Sequence, residues 1–109
     1  MASIAPGELL DRIDRGDRVL VIDARTPTEF AAGHVPGAVN IPFQQIVRRT
    51  AEVPGPKDGE VVIYCGHGPR AWIAGAALRY AEFRNVTYLR GHWAAWRRSR
   101  LRVERSTSG

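Results

Sequence analysis

The sequence predicts an α/β protein with a mainly parallel central sheet flanked by helices, and three observations carry that expectation. Val19-Leu20-Val21-Ile22 and Val61-Val62-Ile63-Tyr64 are continuous apolar runs, the pattern of strands covered on both faces. Helical segments alternate with these runs, the order that builds parallel sheets in layered folds. The chain has 109 residues, about the size at which one domain closes a single core without staples. One domain over residues 1–101 is expected, with a polar tail over 102–109.

Pro6 to Asp14 reads as a short helix with Leu9, Leu10 and Ile13 on one face and Gly16 at its stop. The strand that begins at Val19 ends at Asp23. Thr26-Pro27-Thr28-Glu29 has the hydroxyl, proline and glutamate of a capping box, so a helix starts there and stops at Gly33. A short strand follows around Ala38 to Ile41, Pro42 halts it, and Phe43 to Arg49 forms another short helix. Residues 52 to 60 hold two prolines and two glycines, the mark of a surface connection. Val61 to Tyr64 then runs straight into Cys65-Gly66-His67-Gly68-Pro69-Arg70 and an alanine-rich helix through Tyr80. The last strand, Val86 to Leu89, leads through Gly91 to a short segment carrying Trp93 and Trp96. The tail is expected to fray.

Composition narrows the functional classes. Hydrophobic residues at 44% and charged residues at 25% match ordinary globular usage and argue against long disorder. No stretch approaches the roughly 20 apolar residues of a membrane span, and the N-terminus lacks a basic region followed by an apolar core. A cytoplasmic location is the expectation, with no membrane partner. The formal charge of +5 comes almost wholly from arginine, since Lys57 is the only lysine, and it favours anionic partners.

Chemistry concentrates around the single cysteine. A free thiol is mostly protonated at neutral pH unless its surroundings favour the anion. Gly66 and Gly68 let the backbone turn so that several N–H groups converge, and Pro69 and Arg70 open a helix whose N-terminus adds unpaired donors. Arg70 brings a charge that deprotonation cannot remove. Such a cradle favours the Cys65 thiolate, a persulfide anion on it, and the oxygens of a small anionic donor such as thiosulfate. Only Gly66 to Pro69 separate Cys65 from Arg70, one residue fewer than in the loops of cysteine phosphatases and related arsenate reductases. The smaller ring fits one sulfur atom better than a phosphate group.

Three segments together resemble the rhodanese family, over nearly the whole chain. Asp23-Ala24-Arg25, Glu29-Phe30, Gly33-His34-Val35 and Gly37-Ala38-Val39-Asn40-Ile41-Pro42 are similar to its first signature. Cys65 to Arg70 is similar to its active-site loop. Leu89-Arg90-Gly91-His92-Trp93-Ala94-Ala95-Trp96 is similar to its second signature, departing at His92, where a second glycine is usual. The resemblance implies a three-layer fold with a five-stranded parallel sheet and Cys65 as the persulfide-forming nucleophile. It implies a donor such as thiosulfate, cyanide or a cellular thiol as acceptor, and neither cofactor nor metal. The alternative use is an interaction or sensing domain whose reactive Cys65 reports sulfur or oxidant status.

The remaining candidates divide by role. Asp23 and Arg25 are expected to join the first signature to neighbouring loops through ion pairs and backbone bonds. His34 reads as a packing and hydrogen-bonding residue, since no second metal ligand stands at helical or turn spacing from it. His67 lies inside the loop, where protonation below neutral pH would help hold a donor's oxygens; pointing to solvent is the other outcome. Core packing is expected to account for Ile73 and Trp96, while Trp72 and Trp93 either serve structure, the commoner role of aromatic side chains near a pocket, or wall the substrate entrance. Arg97, Arg98, Arg100, Arg102 and Arg105 form a basic run that reads as a solvated face or as a guide for an acidic acceptor protein or tRNA. Nucleic acid is not expected, because no nucleic-acid fold signature accompanies the run.

Overall fold

The computed structural model describes residues 2–106. Among them, five strands form one sheet: β1 (Ser3–Ile4), β2 (Leu20–Asp23), β3 (Val39–Asn40), β4 (Glu60–Tyr64) and β5 (Asn85–Leu89). Their order is β1-β5-β4-β2-β3, and every pairing is parallel. The helices are α1 (Pro6–Asp14), α2 (Pro27–Ala32), α3 (Phe43–Arg48), α4 (Pro69–Tyr80) and α5 (His92–Arg98). No described helix is long and apolar enough to cross a membrane.

The apolar runs work as doubly covered strands because successive side chains alternate between faces. Ile22, Val61 and Ile63 meet Ile46 of α3 and Ala71, Ala74 and Leu78 of α4. Val21, Val62 and Tyr64 meet the opposite layer, where Leu9 of α1, Phe30 of α2 and Trp96 of α5 pack. Full burial of a side chain such as Leu78 stabilises the fold by about 1.5–3 kcal/mol relative to exposure. The Tyr88 side chain of β5 packs against the bare face of Gly75 in α4: a Cβ there would fall 2.2 Å from the Tyr88 hydroxyl, so glycine leaves the room that the phenol fills.

The capping box forms as its residues predict. Thr26 Oγ1 accepts from the Glu29 N–H at 3.2 Å, and Glu29 Oε1 accepts from the Thr26 N–H at 2.9 Å. Helix α2 ends at Gly33, and α1 and α4 span the residues expected of them.

Two expectations need correction. The frayed tail does not hold for residues 102–106, where His34 and Glu104 exchange backbone hydrogen bonds at 2.9 and 3.0 Å. Trp96 Nε1 donates to the Arg102 carbonyl at 3.1 Å, and Leu101 and Val103 pack against the core. Apolar Leu101 and Val103 alternate with charged neighbours, a strand-like period masked by arginine. The rest of the expected tail, 107–109, lies outside the described residues. Ile73 is the second correction: it is 54% exposed, because Ala71, Ala74, Gly75 and Leu78 form the buried stripe of α4. Trp96, by contrast, is fully buried.

Candidate active site

Sheet order places the thiol. From β2 the chain crosses to β3 on one side, whereas from β4 it crosses to β5 on the other, so the carboxyl ends of β2 and β4 flank a topological switch point. Cys65 follows β4 directly, and the two strand ends are joined there by the Ala24 N–H donating to the Tyr64 carbonyl at 2.9 Å.

The Cys65 side chain is buried, and its Sγ accepts a hydrogen bond from the Gly68 N–H at 2.9 Å. Gly68 stands at φ +137°, and a Cβ there would meet the Trp72 ring at 2.8 Å. Glycine is therefore required for the turn that points this N–H at sulfur. The outer side of the loop is held by the start of α5. Trp93 N–H donates to the Cys65 carbonyl at 2.9 Å and Ala94 N–H to the Gly66 carbonyl at 3.3 Å. These donors are among those a helix N-terminus leaves unpaired, so the second signature serves as a clamp on the loop.

Arg70 reaches back over the loop, with Nη2 3.4 Å from the point where a Gly66 Cβ would stand. Its Nη1 lies 3.3 Å from Glu29 Oε1. Glu29 thus caps α2 and anchors Arg70 at once. Its carboxyl is held below the usual carboxylate range, chiefly by the Thr26 backbone N–H, with Arg70 adding to the effect. Glu29 was legible as a capping residue and not as the partner of Arg70, because helix α2 meets the loop only through the sheet order. His67 is exposed at the rim, and Pro69 occupies the first turn of α4.

Asp23 and Arg25 form a buried ion pair at 2.8 Å. Tyr64 donates to Asp23 Oδ2 at 2.7 Å, and the Val35 N–H donates to the Tyr64 oxygen at 3.1 Å. Burial pushes Tyr64 ionisation far above its ordinary range, so the phenol stays a neutral donor. Arg25 Nη2 donates to the Gly33 carbonyl at 2.6 Å, and its guanidinium lies over the Trp93 ring at 4.5 Å. None of these bonds involves Cys65. His34 stacks flat on Phe30 at 3.7 Å and its Nδ1 donates to the Phe30 carbonyl at 2.7 Å.

The sequence marks His92 only as a departure from glycine in the second signature, not as a site residue. Its φ of +57° explains why glycine suits this place, and its ring is buried between Trp72 and Tyr88. Nδ1 accepts the Cys65 backbone N–H at 3.2 Å. That bond requires a neutral ring with its proton on Nε2. Burial, and secondarily the neighbouring His67, pushes the His92 pKa below the ordinary histidine value, in keeping with that role. The signal was the departure from glycine itself, a polar ring where the backbone favours none.

A cleft of about 680 Å³ opens over the loop, with Gly66, His67, Arg70, Trp93, Arg97 and Arg105 on its walls. Trp72 lines a smaller cleft on the far side of the loop, of about 290 Å³. The basic run is divided: Arg97 and Arg105 face the larger cleft, while Arg102 pairs with Asp14 at 2.8 Å.

Residues 5–99 match the family model for the rhodanese-like domain. The chain belongs to the rhodanese-like family. A sulfurtransferase from Allochromatium vinosum is 40% identical over 95 residues, covering 87% of each protein. The chain is 36% identical to a probable adenylyltransferase/sulfurtransferase, MoeZ, of Mycobacterium tuberculosis, covering 87% of this chain and 24% of that protein. The human single-domain sulfurtransferase TSTD1 superposes with a TM-score of 0.79 at 24% identity, covering 90% of this chain and 96% of the human one. The rhodanese-like fold expected from the three segments is the fold observed, with its sheet wholly parallel.

Proposed function

We propose that this rhodanese-like protein is a sulfurtransferase that carries sulfane sulfur on Cys65 as a persulfide. The observation that carries the reading is Cys65 Sγ at the end of β4, bonded to the Gly68 N–H at 2.9 Å beneath a cleft rimmed by arginines. A hydrogen bond from N–H to sulfur strengthens when sulfur is anionic, and this holds for thiolate and persulfide alike. The kinship with sulfurtransferases supports the same reading.

In the first half-reaction the Cys65 thiolate bonds to the outer sulfur of a donor such as thiosulfate. The donor's S–S bond breaks, and its electron pair leaves on sulfite. In the second, cyanide or a thiolate bonds to the outer sulfur of the persulfide and the electron pair returns to Cys65. Arg70 and the backbone N–H of Gly66 hold the donor's oxygens, with His67 at the rim, while the Gly68 N–H stays on sulfur and Pro69, which has no N–H to donate, fixes the turn into α4 beside the bound donor. Asp23, Arg25 and His34 keep the floor rigid. The lone free thiol suits a reducing compartment, and the cytoplasm is the location we assign.

Thiocyanate formation from thiosulfate and cyanide, beside hydrolysis of an aryl phosphate, tests the proposal. Sulfur transfer that exceeds phosphatase turnover and vanishes in Cys65→Ser is expected. Phosphate-ester turnover that exceeds sulfur transfer and depends on Cys65 would sink the assignment.

A further inference from the structure

Helix α4 carries two apolar stripes. Ala71, Ala74, Gly75 and Leu78 face the sheet, at the i, i+3, i+4, i+7 spacing of a core-facing helix. Pro69, Trp72, Ile73, Ala76 and Tyr80 repeat that spacing on the opposite, solvent face. Trp72 is 46%, Ile73 54% and Tyr80 93% exposed. A helix on the surface of a domain normally shows a polar face to water, and one that is apolar all round is normally covered. Trp, Tyr and Arg are also the residues enriched where proteins bind one another.

The patch starts at the active-site loop, since the Trp72 ring lies against Gly68. Neither α3 nor α4 contains an acidic residue, while Arg48 of α3 and Arg79 of α4 are exposed, and α3, which packs beside α4, adds exposed Val47. A second copy of the chain on this face would set arginine against arginine. An acidic partner meets both requirements, apolar contact and opposite charge.

We propose that the outward stripe of α4 docks an acidic protein that brings a thiol to Cys65, a surface whose use rests on the sulfur-transfer reading above. The partner's thiolate bonds to the outer sulfur of Cys65–S–SH. The S–S bond to Cys65 breaks, its electron pair stays on Cys65, and the proton leaves with the transferred sulfur, so nothing is oxidised or reduced overall.

A photo-crosslinking amino acid placed at Tyr80 in the source cells, followed by mass spectrometry, identifies what covers the stripe. The expected product joins the chain to an acidic, thiol-bearing protein. With that protein purified, Ile73→Asp combined with Tyr80→Asp should slow its sulfur loading at least about tenfold, a loss of about 1.4 kcal/mol in transition-state stabilisation. Transfer from thiosulfate to cyanide should stay at the wild-type rate in the same double variant, which also reports that it folds. Crosslinks only to a second copy, only to neutral or basic proteins, or to nothing would overturn the proposal, as would loading of the partner that ignores both substitutions. Acidic crosslinks on a chain whose Cys65 accepts no sulfane sulfur would overturn the transfer reading and with it the thiol cargo, while the docking surface would stand.

Discussion

Two neighbouring segments at the carboxyl ends of β2 and β4 are built on opposite principles. Asp23 to Arg25 is saturated: the carboxylate takes the guanidinium, the Tyr64 hydroxyl and the Arg25 N–H, and the guanidinium in turn reaches the Gly33 carbonyl. Cys65 to Arg70 is held from outside, by α5 on its carbonyls and His92 on the Cys65 N–H, while the Gly68 N–H remains directed at sulfur. The first segment has spent its polar groups on structure. The second keeps the Gly68 N–H on sulfur, where it would favour an anion in the manner of preorganised electrostatic stabilisation.

Breaking the saturated side should do the larger damage to the fold. Asp23→Ala leaves the Arg25 charge buried without its partner, and removal of one member of a buried pair costs about 3–5 kcal/mol. Denaturant unfolding should show that loss, with transfer activity falling only as folded protein falls. A loss below about 1 kcal/mol would mean that the pair behaves like an exposed one.

On the other side, Arg70→Ala should leave stability nearly intact, because its Glu29 contact is partly exposed. Loading by anionic donors should slow by about 10–100-fold, in the range seen when a preorganised charge is removed. An unchanged rate for thiosulfate, with unchanged melting, would separate Arg70 from the site.

His92 joins the two regimes, and its variants sharpen the contrast. His92→Phe leaves the buried Cys65 N–H unpaired and should cost about 1–3 kcal/mol. His92→Asn offers an acceptor and tolerates the left-handed backbone, so it should restore most of the loss in both stability and loading rate. Equal behaviour of the two variants would argue that the ring only fills space.

The smallest effect expected is one of pH. Because the folded His92 pKa lies below its unfolded value near 6.5, the unfolded chain binds more protons between the two values. The stability contribution is complete above the unfolded value and is lost as pH falls through the folded one. Melting temperature should therefore fall more steeply over that window in wild type than in His92→Asn. Parallel curves would remove His92 from the linkage.

Most of the architecture was legible because it rests on local signals. Val19 to Ile22 and Val61 to Tyr64 announce covered strands, and Thr26 to Glu29 carries a complete helix start. Strand β1 gave no such signal, since Ser3 and Ile4 become a strand only through pairing with Tyr88 and Leu89. The return of residues 102–106 was hidden by charge, and the exposure of Ile73 by alanine-rich packing, where small residues face the sheet and large ones face water. At the site, Cys65, Gly68 and Arg70 could be read from one loop. Glu29 and His92 could not, because both contacts cross between elements far apart in sequence.

Intact-protein mass after incubation with thiosulfate or another sulfane donor, and removal of the excess, bears most directly on Cys65 as a sulfur carrier. The wild-type chain should gain the mass of one sulfur atom, and cyanide should strip that mass with release of a matching amount of thiocyanate. Cys65→Ala should show neither, since the chain holds no other cysteine. Failure of several chemically different donors to load folded protein whose Cys65 stays reduced and reactive would contradict the account and favour a sensing or interaction role.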